Sequence, residues 1–242
     1  MTDDNLMELV VNEMVDRNTY KAELFAPYFT ISYAVHRFNL VNQKKKILYI
    51  GKKLPNMRLH IMFVSPPGYS KTHWLEQTIG DTSAVFRNTG IPVVQKQKMT
   101  EPALFGSFDY TKDGAVPTEA IAQIYADGII AVDEFQGLME MMKASHSSSM
   151  SSMLLTFLDT GKVFVDLKGG SHGYTSYATL WTGLQPAKFD LTSGLGRRWL
   201  YLLNIPQPHE DEELAEYWLL SLIHISEPTR PLYISYAVFC LK

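Results

Sequence analysis

An apolar run over residues 59–64 passes directly into Ser65-Pro66-Pro67-Gly68-Tyr69-Ser70-Lys71-Thr72, with a helix expected to begin at Lys71. A buried strand that ends in a tight turn and re-enters as a helix aims several backbone N–H groups and the positive end of the helix dipole at one point. That point suits a phosphate. In the G-x-x-x-x-G-K-[ST] pattern, the lysine reaches the β and γ phosphates and the Ser/Thr hydroxyl takes one position on Mg2+. Those roles fall here on Lys71 and Thr72, with Pro67, Gly68, Tyr69 and Ser70 walling the loop. Ser65 and Ser70 stand where the pattern has glycine. Serine is small enough for a phosphate to approach, but it tolerates positive φ less well than glycine. For this loop alone, a plain strand–turn–helix connection with Lys71 as a solvated surface charge competes with phosphate binding.

Downstream, Ile129-Ile130-Ala131-Val132 runs into Asp133-Glu134. A second buried strand ending in paired carboxylates places Asp133 near the metal and Glu134 near an attacking water. The two motifs together predict a site for ATP and Mg2+, with Thr72 and Asp133 as the metal ligands and Glu134 as the catalytic base.

The chain has 242 residues, 46% hydrophobic and 19% charged, which bounds it to one or two globular domains. No apolar run approaches the ~18 residues that span a bilayer, and the acidic start Met1-Thr2-Asp3-Asp4 is not a secretory leader, so a cytoplasmic protein without a membrane partner is expected. A net charge of −3 gives no global pull on nucleic acid, so DNA contact has to come from local loops. Basic clusters occur at Lys44-Lys45-Lys46, Lys52-Lys53 and Lys96/Lys98, where a solvated face is the simpler reading. The histidines before Leu220 show no metal-ligand spacing.

Residues 220–242 read differently from the rest. Leu220-Ser221-Leu222-Ile223-His224-Ile225-Ser226-Glu227-Pro228-Thr229-Arg230, and then 234–241, match in order the translated ends of a sequencing-library adapter. The native chain is therefore expected to be cut near Leu219, and Cys240 carries no redox argument.

Leu6, Leu9, Val10 and Met14 repeat at helical spacing, and a second helix is expected over 21–38. Strands are expected at 46–53, 58–64, 92–95, 129–133, 178–183 and 199–204, with helices at 71–79 and 118–126. Strands alternating with helices predict an α/β fold: a mainly parallel sheet covered on both faces, with ligands beyond the strand C-termini. The serine-rich stretch 145–152 reads as a polar loop.

The order of these pieces resembles AAA+ ATPases, within them the branch that inserts a β-hairpin before the fourth core strand, and most of all the minichromosome-maintenance (MCM) helicases. Ser-Pro-Pro-Gly-Tyr-Ser-Lys-Thr is similar to the MCM phosphate loop, and Ala126-Asp127-Gly128-Ile129-Ile130-Ala131-Val132-Asp133-Glu134-Phe135 to the second motif. Leu154-Leu155-Thr156-Phe157-Leu158-Asp159-Thr160-Gly161-Lys162-Val163-Phe164-Val165 resembles the helix leading into the hairpin. Thr182-Gly183-Leu184-Gln185-Pro186 resembles the sensor strand, and Gly196-Arg197-Arg198-Trp199 the arginine-finger segment.

The resemblance spans about residues 59–204. It implies a three-layer P-loop core over 46–219 with a five-stranded sheet, a short helical segment at 1–45, and a C-terminal lid lost with the missing end. It further implies that Gln185 contacts the γ phosphate or the lytic water, and that Arg198, or Arg197 in its place, reaches a neighbour's γ phosphate. That requires a homo-oligomer, a hexameric ring by resemblance. Two loops would face a central pore: 105–116 with Tyr110 and Lys112, and 162–176 with Lys162, Lys168 and His172. Lysines there could follow DNA phosphates without reading bases, although a solvated hairpin turn is the equal alternative.

The expected function is an oligomeric ATPase acting on DNA, a helicase or remodeller. Two alternatives stand beside it. One is an AAA+ protein remodeller, since Ala103-Leu104-Phe105-Gly106 also resembles the loop insertion of enhancer-dependent transcription activators; a chaperone or chelatase subunit belongs to the same class. The other is a nucleotide-binding switch that hydrolyses little.

Overall fold

The structure is a computed structural model that describes residues 3–45, 48–49, 52–53, 57–112, 114–143, 148–167, 170–188, 195–207 and 210. Helices α1 (Asp3–Asp16) and α2 (Ala22–Lys45) come first, followed by the short antiparallel ladder of β1 (Leu48–Tyr49) and β2 (Lys52–Lys53). Strand β3 (His60–Val64) leads through the turn at residues 65–70 into α3 (Lys71–Leu75), which continues as a π-helical turn over Glu76–Gly80. Next come β4 (Val93–Lys96), α4 (Glu101–Phe105), the hairpin of β5 (Phe108–Thr111) and β6 (Gly114–Pro117), α5 (Ile121–Ile124) and β7 (Ile129–Val132). Helices α6 (Gln136–Lys143) and α7 (Ser148–Thr160) precede a second hairpin, β8 (Lys162–Leu167) and β9 (Gly170–Thr175). The chain then forms β10 (Thr179–Leu184), the 3-10 turns Pro186–Lys188 and Gly196–Arg198, and β11 (Trp199–Leu203).

The central sheet has five strands in the order β11-β3-β10-β7-β4, and every neighbouring pair is parallel. The three inner strands β3, β10 and β7 are buried along their whole length; β7 and, after His60, β3 read as continuous apolar runs, whereas β10 buries Thr179 and Thr182 among its apolar residues. Alternate residues still face opposite layers. Ile61, Phe63, Ile129 and Ala131 meet α1, α2 and α3, where Phe29 stacks on Trp74 at 5.5 Å and Phe25 meets Phe63 edge-on at 4.9 Å. Met62, Val64, Ile130 and Val132 meet the other layer, built from Leu104, Phe105, Leu138, Leu154 and Phe157. Each fully buried side chain of this size contributes about 1.5–3 kcal/mol. Residues 3–45 therefore share one core with the sheet.

Arg58 pins the base of the sheet. Its guanidinium donates to the carbonyls of Ala178 at 2.8 Å, Leu158 at 2.8 Å and Phe157, capping the C-terminal end of α7. Burial pulls this guanidinium down to about 10.

Several expected elements differ from what forms. Within 46–53 the described residues 48–49 and 52–53 pair with each other as the β1–β2 ladder rather than forming one strand, and helix 118–126 contracts to Ile121–Ile124. Of the serine stretch, residues 148–152 belong to α7 rather than to a loop. Met150, Leu154, Phe157 and Leu158 recur at helical spacing and are buried, and their packing outweighs the weak helix propensity of serine. Residues 144–147 and 211–242, which include the adapter-like tail, lie outside the described residues.

Between β3 and β10 the connections leave in opposite directions across the sheet. From β3 the chain crosses to the far edge at β4, steps back through β7 and β10, then passes β3 to reach β11. Such a switch point opens a crevice at the strand C-termini, and the turn at residues 65–70 lies there.

Candidate functional site

Residues 65–70 turn the chain from β3 into α3. Gly68 has φ +83°, and Ser70 is left-handed at φ 60° and ψ 15°, followed by the first helical bond from Trp74 N to Ser70 O at 2.9 Å. A serine in this region costs roughly 1–2 kcal/mol. The turn therefore adopts, at the position where the motif has its second glycine, a conformation glycine would take without strain. Ser65, at the first glycine position, has no positive φ. The opening N–H groups of any helix lack an acceptor one turn back, which is what suits such an end to an anion.

The Thr72 hydroxyl in the first turn of α3 donates to Asp133 Oδ2 at 2.6 Å. Thr72 stands on the helix that follows β3 and Asp133 just beyond β7, two strands that do not pair. Asp133 is held from both sides: its own N–H donates to Lys96 O at 3.0 Å, Glu134 N to Gln97 O at 2.8 Å, and Phe135 N to Gly183 O at 3.1 Å. A Cβ on Gly183 would lie 2.4 Å from the Asp133 carbonyl oxygen, so glycine is what lets β10 pass this close.

The Lys71 ammonium arches over the loop and donates to Pro66 O at 3.4 Å. Burial lowers its pKa, and the charges of Asp133 and Glu134 oppose that shift. One ammonium thus feels both carboxylates of the second motif. Glu134 is exposed and pairs with Lys98 Nζ at 3.0 Å; with the two side chains 46% and 77% exposed, the pair contributes at most ~1 kcal/mol and opens readily.

Thr72 and Asp133 offer hard oxygens of the kind Mg2+ prefers, with substrate phosphates and water completing its shell. Among the described residues no three His, Cys, Asp or Glu side chains form a metal-binding group, so the fit is to a phosphate-bound cation rather than to a protein cage.

Gln185 follows β10 directly and is half-buried beyond its C-terminal end, in the row of strand ends that carries the cradle. Arg198 lies elsewhere. It precedes β11, whose first residue Trp199 pairs with His60 at the start of β3, so Arg198 is at the opposite end of the sheet from Lys71 in its own chain. There its Nε and Nη2 donate to the Asp159 carboxylate at 2.6 and 2.5 Å. Arg197 is exposed, and its charge also acts on Asp159.

The nucleic-acid candidates separate as well. Lys112 is exposed in the β5–β6 turn. Lys162 is exposed at the base of the second hairpin, opposite Thr175, where it lines a pocket with Glu101 and Thr156. Lys168 lies outside the described residues. His172 is half-buried, with Nε2 3.3 Å from Gln123 Oε1 and its ring tilted against Tyr174. The second hairpin leans on the segment before the first, through Tyr174 OH donating to Phe105 O at 3.2 Å.

Three participants were missed from the sequence. Lys98 gave only a basic-cluster signal. Glu76, on the turn continuing α3, carries a carboxyl raised by burial and then by the charges of Asp133 and Asp81. Asn204, just beyond β11, reaches Ser65 across the sheet edge. No linear pattern marks any of them.

No protein-family model matches the chain, and no curated protein matches it in sequence.

Proposed function

We propose that the chain binds ATP with Mg2+ in the cradle between β3, β7 and β10 and hydrolyses the γ phosphate. The observation that carries this reading is the 2.6 Å hydrogen bond from Thr72 to Asp133, with the Lys71 ammonium at the turn that opens α3. A hydroxyl from α3 and a carboxylate beyond β7 meet where a phosphate-bound cation would be held, beside a lysine and the start of a helix. Mg2+ would be held by Thr72 and Asp133 and would withdraw charge from the β and γ oxygens.

Lys71 binds the β and γ phosphates in exchange for the Pro66 carbonyl. Glu134, turned from Lys98, accepts a proton from water as its oxygen attacks the γ phosphorus and the bond to the ADP oxygen breaks. Gln185 orients that water or the γ phosphate. Arg198 sits too far from its own cradle to act there, so it serves a neighbouring copy, which makes the working form an oligomer, a ring by resemblance to AAA+ proteins. Lys112 and the paired hairpins suit a DNA substrate, as in MCM-type helicases.

A nucleotide switch with little turnover is the second reading, one in which Glu134 stays with Lys98 when nucleotide is bound. Steady-state ATPase with and without single-stranded DNA separates these: DNA stimulation supports the DNA motor, DNA-independent turnover a protein remodeller, and binding without turnover the switch. In the same assay Lys71→Ala abolishes nucleotide binding, whereas Glu134→Gln binds and does not hydrolyse. Normal turnover by Glu134→Gln removes Glu134 from its role.

A further inference from the structure

Ser65 departs from the phosphate-loop pattern, yet it is completely buried and its hydroxyl has two partners. It donates to the Tyr69 carbonyl at 2.9 Å, across the mouth of the loop, and accepts from Asn204 Nδ2 at 3.1 Å. Asn204 is 1% exposed, and its own N–H donates to Val64 O at 2.8 Å, which continues the β11–β3 ladder. Its other amide atom, Oδ1, accepts from Lys21 Nζ at 3.1 Å. A lysine ammonium can only donate, so this contact fixes which way the amide points and leaves Nδ2 for Ser65. Lys21 in turn pairs with Glu210 at 2.9 Å, and Glu210 also accepts from Tyr20 OH at 3.2 Å and Gln207 N at 2.9 Å. Lys21 occupies the corner between α1 and α2 with φ 55°, a strained conformation for a lysine.

We propose that Ser65 and Asn204 form a strut that positions the phosphate loop for nucleotide, anchored to the α1–α2 corner by Lys21 and Glu210; this rests on the phosphate-loop reading above. The carbonyl and N–H of a trans peptide point in opposite directions. Holding the Tyr69 carbonyl back toward Ser65 therefore fixes the direction of the Ser70 N–H, the amide on the loop's left-handed residue. A glycine at 65 has no atom to do this. The serine is a gain of definition rather than a decayed motif, and Ser65, Asn204 and Lys21 are positioning residues with no contact to phosphate of their own.

The test is titration calorimetry with Mg-ATP and with Mg-ADP on the full chain, run beside thermal melting without nucleotide and steady-state hydrolysis. Wild type binds and Lys71→Ala does not. Ser65→Ala and Asn204→Ala each weaken binding and raise KM by about tenfold, the scale of one buried hydrogen bond, while kcat at saturation changes less than about twofold. The double variant is no weaker than either single one, because both remove the same strut. Wild-type affinity in Ser65→Ala, or a loss confined to kcat, overturns the strut and leaves nucleotide binding standing. Failure of wild type to bind overturns both. If the buried variants do not fold, Lys21→Met gives the reading from the outer end, with affinity down about threefold; unchanged affinity there overturns the anchoring.

Discussion

Arg198 grips Asp159 with a two-pronged contact, Nε to Oδ1 at 2.6 Å and Nη2 to Oδ2 at 2.5 Å, at the end of the sheet away from Lys71. Asp159 lies in the last turn of α7, which runs into the β8–β9 hairpin. The Arg198 contact is a second tie on the end of α7, beside the bonds from Arg58 to the Phe157 and Leu158 carbonyls.

Arg198→Ala lowers ATPase activity by about 10³ if the finger acts in trans, and mixing it with Lys71→Ala protein restores part of it. The check is turnover across mixing ratios; strictly additive activity excludes a shared site. Asp159→Asn, which frees the arginine, retains activity.

The same pair responds to acid. Hydrogen bonding to Arg198 holds the Asp159 carboxyl below its ordinary range. Its folded pKa is depressed, so its stabilisation is present above the unfolded carboxylate range and is lost as pH falls through the folded value. Asp159→Asn therefore flattens the acid limb of a melting-temperature profile and changes little at neutral pH. The carboxylate is half-exposed, so the effect is small.

His36 works in a higher window. It is fully buried, with Nδ1 2.9 Å from Thr179 Oγ1 and Nε2 3.2 Å from Asp127 O. The carbonyl can only accept, so the proton sits on Nε2 and Nδ1 accepts from the threonine. Burial lowers the imidazole from 6.5 to about 4. Below pH 6.5 the unfolded chain takes up a proton that the folded chain refuses, so stability falls as pH drops from 6.5 toward 4, by an order of 3 kcal/mol over the window. Denaturant midpoints across this range measure it. A profile that stays flat there contradicts the buried neutral imidazole.

Ser70→Gly relieves the left-handed strain but adds freedom to the unfolded chain, for a net gain of about 0.5–1 kcal/mol. Urea unfolding reads the change, and nucleotide affinity is retained. A loss of stability means that the serine side chain contributes more than its backbone costs.

Gly183→Ala drives a methyl group toward the Asp133 carbonyl, which its Cβ would approach to 2.4 Å. The forced shift costs about 1–3 kcal/mol and moves the carboxylate from Thr72. The Mg2+ concentration needed for half-maximal ATPase activity then rises, whereas a purely global loss of stability leaves that requirement unchanged.

The sequence by itself determined the local pieces. The β3 and β7 segments are legible because strands buried on both faces favour unbroken apolar runs, and a turn carrying Gly68 and Lys71 after one of them needs no partner to be recognised. The acids after Val132 are legible for the same reason. The tertiary structure alone decided which pieces meet. It set the strand order, which puts Thr72 against Asp133 and sends Arg198 to the far end, and it drew serines 148–152 into α7 through the burial of Met150 and Leu154. It also joined Ser65 to Asn204 and Lys21, residues whose separation along the chain leaves no periodic trace. Burial periodicity is a property of neighbours in sequence, whereas a hydrogen bond between distant side chains exists only once the core has closed around them.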